Sequence, residues 1–490
     1  MADCIHVALM SGKRVKIAAS TETSLEEVKL RAQDALETGR GVLVNSQGRL
    51  LALNQTVGEA GVKPGDFLTL NIRPSAVEAI ASTGVRGEAL AAIMSNESVV
   101  TWGDPMRGGS SSPVQEQLKN VWQVQANMHA FAAILTDGSV VTWGRGVFGG
   151  DSNEVKERLK HVRQIHATER AFAAILDDGS VVTWGAADGG DSSHVQDQLK
   201  NVQHIQAAEA AFAAIRDDGS VVSWGEGGDC SSSIQDQLRN VRAIQAAPYA
   251  FAAIRENGSV VTWGNQRQGG DSSSVQQHLR NVQKIQANSH GFAAILDTGS
   301  VVTWGDPEKG GDSSAVQQQL KHVQHIQATE CAFAAILGDG SVVTWGSSDF
   351  GGDSRAVQEQ LKNVKQIQAT SSAFAALLAD GTVVAWGDPE TGGDSGTAAE
   401  QLRNVQQMQS NCLAFAAILD NGSVATWGSA DDGGDCSAVL EQLRNVQHIQ
   451  SSRGAFAAIL ADGSVVTWGD SLTGGDCSHV AERLKGNFAG

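Results

Sequence analysis

Residues 172–185, with the sequence FAAILDDGSVVTWG, belong to a motif that recurs ten times in this chain of 490 residues. The copies end at tryptophans spaced 39 to 41 residues apart, at Trp102, Trp143, Trp184, Trp224, Trp263, Trp304, Trp345, Trp386, Trp427 and Trp468. A constant period of this size is typical of arrays in which one supersecondary unit is repeated and packs on its neighbours. The motif therefore predicts one repeat domain over residues 75–490.

One complete unit, residues 202–241, predicts a small three-stranded sheet. Its candidate strands are residues 205–207, 211–216 and 220–224. Asp218 and Gly219 join the second and third of these strands, and an Asp-Gly pair in this setting is the strongest short-range signal for a β-hairpin. Ten such sheets indicate a mainly β protein, either a β-propeller or a closely related closed or superhelical array.

The end of each unit predicts one short helix, because Ile234, Leu238 and Val241 fall on one helical face. A Gly-Gly-Asp-Ser motif precedes this segment in most copies. The glycines permit a sharp turn, and Asp or Ser is suited to cap the helix. A calcium site is the alternative, but each copy offers one Asp at a spacing unlike that of calcium-binding β-helix repeats. Capping is the preferred interpretation.

The arrangement of the ten units is left open by the sequence. A ten-bladed ring, an open superhelical array, and seven blades with additional units are all compatible with it. Val480 and Leu484 of the last unit have no strand after them. They are available to pack beside the first unit, at residues 77–81, and this favours a closed ring.

Residues 1–74 contain no copy of the repeat and predict a separate domain. In order, the predicted elements are strands at residues 5–9 and 14–17 around a turn at 11–13, a helix with Leu25, Val28 and Ala32 on one face and Thr23 or Ser24 at its N-cap, and strands at 42–44 and 67–72. The order is strand, strand, helix, strand, strand.

This N-terminal segment resembles ubiquitin in its order of elements and in local sequence. The matching stretches are Ser11-Gly12-Lys13, Leu25-Glu26-Glu27-Val28-Lys29 with Gln33-Asp34, and residues 59–66 before the last strand. The resemblance implies a β-grasp fold and docking to ubiquitin or proteasome machinery. Arg73 is followed by Pro74-Ser75 instead of a free Gly-Gly, so conjugation is not expected. Thr69 and Asn71 should face outward, which makes the receptor patch polar.

The repeats resemble those named after the regulator of chromosome condensation. The resemblance rests on the Trp-Gly ending, the Asp-Gly turn and the Val-x-x-x-Leu-x-x-Val stretch, and it covers residues 77–490. The short period is similar to the three-stranded blades of β-lactamase-inhibitor protein II. HERC-type ubiquitin ligases carry such repeats, but their catalytic cysteine lies in a further C-terminal domain, and this sequence ends about 20 residues after Trp468. The resemblance therefore implies either an accessory role in ubiquitin ligation or, as in the founding member, guanine-nucleotide exchange on a small GTPase.

The composition excludes several classes of function. The net charge is −18 and lies almost wholly in the repeats, since residues 1–74 hold nine Lys/Arg and eight Asp/Glu, and such a surface repels nucleic acid. No Cys-x-x-Cys pair, Ser/His/Asp arrangement, His-Glu-x-x-His motif or Walker loop occurs, so no catalytic residue, cofactor or metal is predicted. The absence of an apolar run of 18 residues and of a signal segment predicts a cytoplasmic or nuclear protein.

The copies differ most in two loops, one before Phe-Ala-Ala and one after Trp-Gly. If the three strands alternate in direction, both loops lie on one face of the array and the uniform Asp-Gly turns lie on the other. Rigid scaffolds place binding residues on such loops, so this face predicts a non-enzymatic scaffold that docks a protein. The residues expected to contact the partner are Arg107, Met128, His129, Phe148, Arg170, Glu209, Tyr249, Arg267, His290, Lys309, Glu330, Phe350 and Arg453.

Overall fold

The structure, a computed structural model, describes most of the chain and divides it into a small mixed sheet and an array of repeated sheets. The described residues are 4–9, 13–36, 41–47, 49, 51, 55–63, 65–72, 77–81, 87–94, 96–228, 230 and 232–484. Part of the predicted first turn, and Arg73-Pro74-Ser75, lie outside them. Within these residues no helix is long and apolar enough to cross a membrane.

The N-terminal segment forms a four-stranded sheet covered by one helix. Its elements are β1 (Cys4–Ala8), β2 (Arg14–Ala18), α1 (Leu25–Leu36), β3 (Gly41–Val44) and β4 (Phe67–Ile72). The sheet order is β2-β1-β4-β3, with β1 parallel to β4 and the other pairs antiparallel. The Oγ of Ser24 accepts a hydrogen bond from the N–H of Glu27 at 3.2 Å and so caps α1. The predicted order of elements is confirmed.

Each of the ten repeats contributes three strands in the described residues. By repeat, they are β5 (Val77–Ala81), β6 (Ala89–Met94), β7 (Val99–Gly103); β8 (Val121–Ala126), β9 (Ala130–Leu135), β10 (Val140–Gly144); β11 (Val162–Ala167), β12 (Ala171–Leu176), β13 (Val181–Gly185); β14 (Val202–Ala207), β15 (Ala211–Arg216), β16 (Val221–Gly225); β17 (Val241–Ala247), β18 (Ala250–Arg255), β19 (Val260–Gly264); β20 (Val282–Ala287), β21 (Gly291–Leu296), β22 (Val301–Gly305); β23 (Val323–Ala328), β24 (Ala332–Leu337), β25 (Val342–Gly346); β26 (Val364–Ala369), β27 (Ala373–Leu378), β28 (Val383–Gly387); β29 (Val405–Ser410), β30 (Ala414–Leu419), β31 (Val424–Gly428); and β32 (Val446–Ser451), β33 (Ala455–Leu460), β34 (Val465–Gly469).

The strands of each repeat pair in antiparallel fashion and in chain order, so every repeat is one sheet. In the third repeat, Asp178 and Gly179 form the predicted turn between the second and third strands, with Gly179 at φ +78°. The same register places Phe172 opposite Trp184, and the two rings stack at 5.2 Å between centroids. This ring pair recurs in all repeats except the first, where Leu90 replaces the phenylalanine.

Neighbouring sheets pack face to face, and the same two surfaces of the repeat meet at each interface. Between the third and fourth repeats, Ala171, Ala173 and Ile175 lie in one hydrophobic cluster with Phe212 and Trp224, and all five side chains are 0% exposed. The alanines on one face leave the space that the large rings of the next face fill. The middle strand is buried on both sides for this reason, which is why it shows no polar alternation.

The tenth repeat packs against the first through the same positions. Ala457 and Ile459 of β33 share a cluster with Leu90 and Trp102, and β32 lies beside β5. The Nε1–H of Trp102 donates to the carbonyl oxygen of Gly474 at 2.9 Å. These contacts join the ends of the array, so the ten sheets form a ring.

The segment predicted as a helix is a single turn in most repeats. A helix was predicted at residues 234–241 of the fourth repeat. The observed helix α3 spans only Ser232–Gln235, and Val241 already begins β17. Asn240 has φ +55°, in the left-handed region that ends a helix and that asparagine tolerates better than most residues. Leu238, the middle residue of the apolar pattern, is completely buried although it is not in a helix.

The other helices of the repeats are also short. They are α2 (Ala187–Gly190) and α4 (Ala481–Leu484), an irregular turn at Ala430–Gly434 in which Asp432 and Gly433 have non-helical backbone angles, and 3-10 turns at Pro105–Arg107, Ser112–Gln117, Gly146–Phe148, Lys156–Arg158, Gln196–Gln198, Gln266–Gln268, Pro307–Lys309, Ser348–Phe350, Pro389–Thr391, Gly396–Glu400, Ser437–Val439, Ser471–Thr473 and Ser478–Val480.

The Gly-Gly-Asp-Ser motif was predicted to cap the following helix. Its side chains instead form hydrogen bonds within the loop and to the sheet. Asp191 accepts a hydrogen bond from the N–H of Ser193 at 2.9 Å, which makes a turn. The Oγ of Ser192 bonds Thr183 of the third strand at 2.8 Å and donates to Gln196 at 3.1 Å. The serine therefore ties the loop to its own sheet and leaves the backbone of the following turn without a side-chain cap.

Candidate protein-binding face

The two variable loops of each repeat lie together on one face, which we call the variable face. Asn127 in the first loop donates from Nδ2 to the carbonyl oxygen of Phe148 in the second loop at 2.8 Å. Thr329 donates in the same way to Phe350 at 2.8 Å. The Asp-Gly turns lie at the other ends of the strands, where the carbonyl oxygen of Gly179 accepts from the first residue of β14.

Variation at the first position of the first loop is structural. The Oδ1 of Asn127 accepts hydrogen bonds from the N–H groups of His129 and Ala130, both at 2.8 Å. Thr168 holds its own loop through the equivalent bond to Ala171 at 3.0 Å. Asparagine and threonine exchange here because both can accept these bonds, so their variation does not indicate a partner.

A series of main-chain hydrogen bonds runs around the variable face through the middle residue of each first loop, which we call the rim position. Eight of the ten rim N–H positions donate to the rim carbonyl oxygen of the next repeat: Glu169 to Glu209 at 3.0 Å and Glu330 to Ser371 at 3.0 Å, for example. The bond from Arg453 to Gly87, at 2.9 Å, joins the tenth repeat to the first. In chain order the rim residues are Gly87, Met128, Glu169, Glu209, Pro248, Ser289, Glu330, Ser371, Cys412 and Arg453.

Pro248 interrupts this series. Proline has no N–H, so Pro248 cannot donate to the rim carbonyl oxygen of Ser289. It still accepts from the N–H of Glu209 at 3.0 Å. The β17 strand beside it has seven residues, whereas the other first strands have six and β5 has five, and its additional residue Ala247 is paired to Ala250. The carbonyl oxygen of Ser289 therefore lacks the main-chain donor that eight of its nine equivalents have; Met128 is the other described rim residue whose carbonyl oxygen accepts no such bond.

The predicted binding residues differ in their exposure. Arg170, Arg267 and Arg453 are exposed. Arg107, Phe148, Glu209, Tyr249, His290, Lys309, Glu330 and Phe350 are half-buried. Met128 and His129 are only 4% and 9% exposed, so the prediction that their side chains are available to a partner is wrong. The ring of His129 packs against Phe148 in a tilted arrangement, with 4.5 Å between centroids, and the apolar side chain of Met128 is withdrawn from water.

Three arginines surround His129 and Phe148. The guanidinium of Arg145 lies 4.8 Å from the centre of the Phe148 ring and that of Arg170 lies 5.8 Å from it. Burial, together with the charges of Arg107, Arg145 and Arg170, lowers the pKa of His129 to about 4. The imidazole is therefore neutral at physiological pH, and the positive charge of this cluster comes from the arginines.

The lowered pKa predicts that His129 makes the protein less stable in acid. The unfolded chain protonates this histidine near pH 6.5, whereas the folded chain does so only near pH 4, so the unfolded state binds more protons between these values and stability falls as the pH falls through 6.5. From pH 7 to 5 we expect the wild type to lose about 1 kcal/mol more than the His129→Gln variant, allowing for solvent screening. Urea unfolding at both pH values measures the difference, and equal losses would contradict the assignment.

A hollow of about 570 Å³ opens on the variable face where Pro248 interrupts the rim. Glu169, Glu209, Tyr249 and Glu330 line it together with several alanines. Burial raises the pKa of the Tyr249 hydroxyl, and the carboxylates of Glu209, Glu169 and Glu226 raise it further. The hollow is therefore a region of negative potential with one aromatic side chain.

A second hollow, of about 480 Å³, continues around the rim. It shares Ser289 and Glu330 with the first and extends to Ser371, Cys412 and Ser452. The two hollows form a track of mixed polar and apolar character over the rims of repeats three to ten.

His290 also lines the first hollow, and the other predicted residues lie elsewhere on the variable face. Arg107 and Arg453 both approach Glu88, at 3.0 and 3.5 Å. Lys309 lies 3.8 Å from Asp306, and Phe350 packs at the edge of a core cluster between repeats. The predicted set is therefore spread around the face and is not one compact site.

Among the described residues, no group of three or more His, Cys, Asp or Glu side chains could hold a metal ion. His204, His325 and His448, which share one repeat position, are exposed strand residues, as predicted.

Comparisons with known proteins give only distant similarities. No protein-family model and no curated protein matches the chain. Among solved structures, it is similar to the ectodomain of the receptor kinase CR4 from Physcomitrella patens (16% identity, TM-score 0.32, 53% of this chain and 70% of that one). It is also similar to Prp20p from Saccharomyces cerevisiae (14%, 0.32, 57% and 82%) and to yeast RCC1 (Prp20) bound to Kap60 (13%, 0.33, 74% and 80%). With such low values, the architecture rests on the contacts described above.

Proposed function

We propose that the repeat ring is a platform that binds a protein partner on its variable face. The observation that carries the proposal is the convergence, within the described residues, of the dissimilar loops of the repeats on the face that holds both hollows, while the opposite face carries near-identical turns. Large and chemically mixed side chains on loops held by a rigid scaffold are typical of binding surfaces.

Joint substitution of Phe148, Tyr249 and Phe350 by serine tests this proposal. We expect proteins captured by the full chain to be retained at least tenfold less by the variant, because aromatic side chains contribute much of the binding energy at interfaces. Cross-linking of captured proteins should map to the variable face. The matched control replaces Asp217, Glu256 and Asp420 by alanine, since these residues are exposed on the opposite face. Equal retention by the wild type and both variants would reject the proposal.

A second proposal concerns residues 1–74, as a ubiquitin-like domain joined to the platform of residues 75–490. The sheet order β2-β1-β4-β3 with its covering helix supports it. Phe67 is 51% exposed and stacks on His6 at 4.7 Å, which gives this sheet an outward aromatic group that the sequence analysis did not expect. Such a domain would dock the ring onto ubiquitin or proteasome machinery.

Capture with the full chain and with residues 77–490 distinguishes the alternatives. Ubiquitin or proteasome components that are lost on truncation favour the second proposal, either as a scaffold or as an accessory subunit of a HERC-like ligation system. A small GTPase retained by both forms favours guanine-nucleotide exchange. If the captured proteins do not depend on residues 1–74 and include no GTPase, the result supports only the proposal that the repeats are a binding platform.

A further inference from the structure

We infer that the hollow beside Pro248 accepts a lysine or arginine side chain from an exposed basic segment of a partner protein. The inference rests on the proposed function of the variable face and specifies the chemistry of what binds there. It commits to one occupant, a basic protein segment.

The first argument is charge. The carboxylates of Glu169, Glu209 and Glu330 line the hollow, and no lysine or arginine is among its lining residues. Glu226 adds a fourth carboxylate within electrostatic range of Tyr249. Arg170, the residue after Glu169, is engaged by other groups, since it lies over the ring of Phe148 and 3.8 Å from Asp188. The negative potential of the hollow therefore complements a cation.

The second argument is the supply of a neutral acceptor. The rim carbonyl oxygen of Ser289 faces a proline where most of its equivalents face an N–H, so the main-chain bond of the rim series is missing there. Ser289 lines the hollow, and an N–H group of a lysine or arginine side chain could donate to this carbonyl oxygen.

The third argument is shape. Methyl groups of alanines form the apolar part of the lining, and they suit the methylene stem of a lysine or arginine. These residues are Ala167, Ala207, Ala208, Ala246, Ala247 and Ala287. The ring of Tyr249, the only tyrosine of the chain, offers a face for a cation–π contact.

The extent of the hollow favours a polypeptide over an isolated ion or amine. The carboxylates come from three different repeats and form no metal-binding group among the described residues. The second hollow continues from Ser289 and Glu330 around the rim. An extended segment could place one basic side chain beside Tyr249 and lay its neighbours along this track.

Fluorescence anisotropy with a labelled hexalysine peptide tests the inference on the full chain. The decisive variant carries Glu169→Gln, Glu209→Gln and Glu330→Gln. The control carries Glu116→Gln, Glu359→Gln and Glu441→Gln, which changes the net charge equally at exposed sites away from the hollow. We expect the decisive variant to bind the peptide at least tenfold more weakly and the control to change less than twofold. Equal losses in both would overturn the inference, because they would reflect only the overall charge.

Tyr249 gives an independent readout. We expect Tyr249→Ala to weaken peptide binding three- to tenfold and Tyr249→Phe to leave it within twofold, since a phenyl ring keeps the cation–π contact; unchanged binding by Tyr249→Ala would count against the inference. The outcome is separable from that of the proposed function. Partners that depend on Phe148 and Phe350 but not on the three glutamates would sink only this inference. Peptide binding in the hollow, with captured proteins indifferent to the aromatic substitutions, would sink only the proposed function.

Discussion

Replacement of Trp102 by alanine is expected to lower the free energy of unfolding by about 3–5 kcal/mol. Trp102 is completely buried where the tenth repeat meets the first, in a cluster with Leu90, Ala457 and Ile459. The substitution removes a large side chain from a packed interface and deletes the hydrogen bond to Gly474. Urea unfolding followed by circular dichroism measures the change.

Two controls make this result specific to closure of the ring. Trp345 occupies the same position between the sixth and seventh repeats, where it stacks on Phe333 and bonds Gly310. If the ends of the array are joined as described, Trp102→Ala and Trp345→Ala should cost similar amounts. Trp122 lies outside these stacks and is only partly buried, so Trp122→Ala should cost clearly less. A value for Trp102→Ala close to that for Trp122→Ala would argue for open ends.

Substitution of Gly149 by alanine should cost about 2–4 kcal/mol, although it adds a single methyl group. Gly149 has φ +97°. A Cβ at this position would lie 2.5 Å from Cδ2 of Phe172, which is in β12 of the next repeat. Strain in the backbone and overlap with a buried ring therefore add together. Thermal and urea unfolding report the loss.

Gly227 provides the matched control for this prediction. It lies in the equivalent loop of the fourth repeat with φ +77°, but the nearest atom to a Cβ there is 3.6 Å away. Gly227→Ala should cost only the backbone strain, about 1–2 kcal/mol. If the two variants were equally stable, contact with Phe172 would not be the reason for the glycine.

Much of the fold could be predicted from the sequence because the ten copies repeat its signals. The Asp-Gly turns fixed the hairpins, and the strand directions placed both loops on one face. The helical segment was overestimated because the spacing of Ile234, Leu238 and Val241 also fits a turn followed by a strand. The left-handed backbone of Asn240 distinguishes a turn followed by a strand from a continuous helix. An asparagine in the sequence does not by itself indicate that conformation.

The candidate site was less accessible to prediction because it depends on contacts between repeats. Met128 and His129 were expected on the surface since they vary, but variation in a loop does not measure exposure. The hollow depends on the rim hydrogen bonds, which join residues about 40 positions apart. Pro248 was the one indication in the sequence, because a proline at a rim position cannot donate a main-chain hydrogen bond. Its meaning becomes clear only when the rim hydrogen bonds are known from the structure.

The separation between uniform interfaces and dissimilar rims has an evolutionary consequence. Because every sheet presents the same two packing surfaces, a duplicated unit fits beside any other without compensating changes. Apart from the buried Met128, the rim side chains take little part in that packing, so each could then diversify alone. A lineage could thus revise its recognition surface one position at a time while the architecture remained untouched.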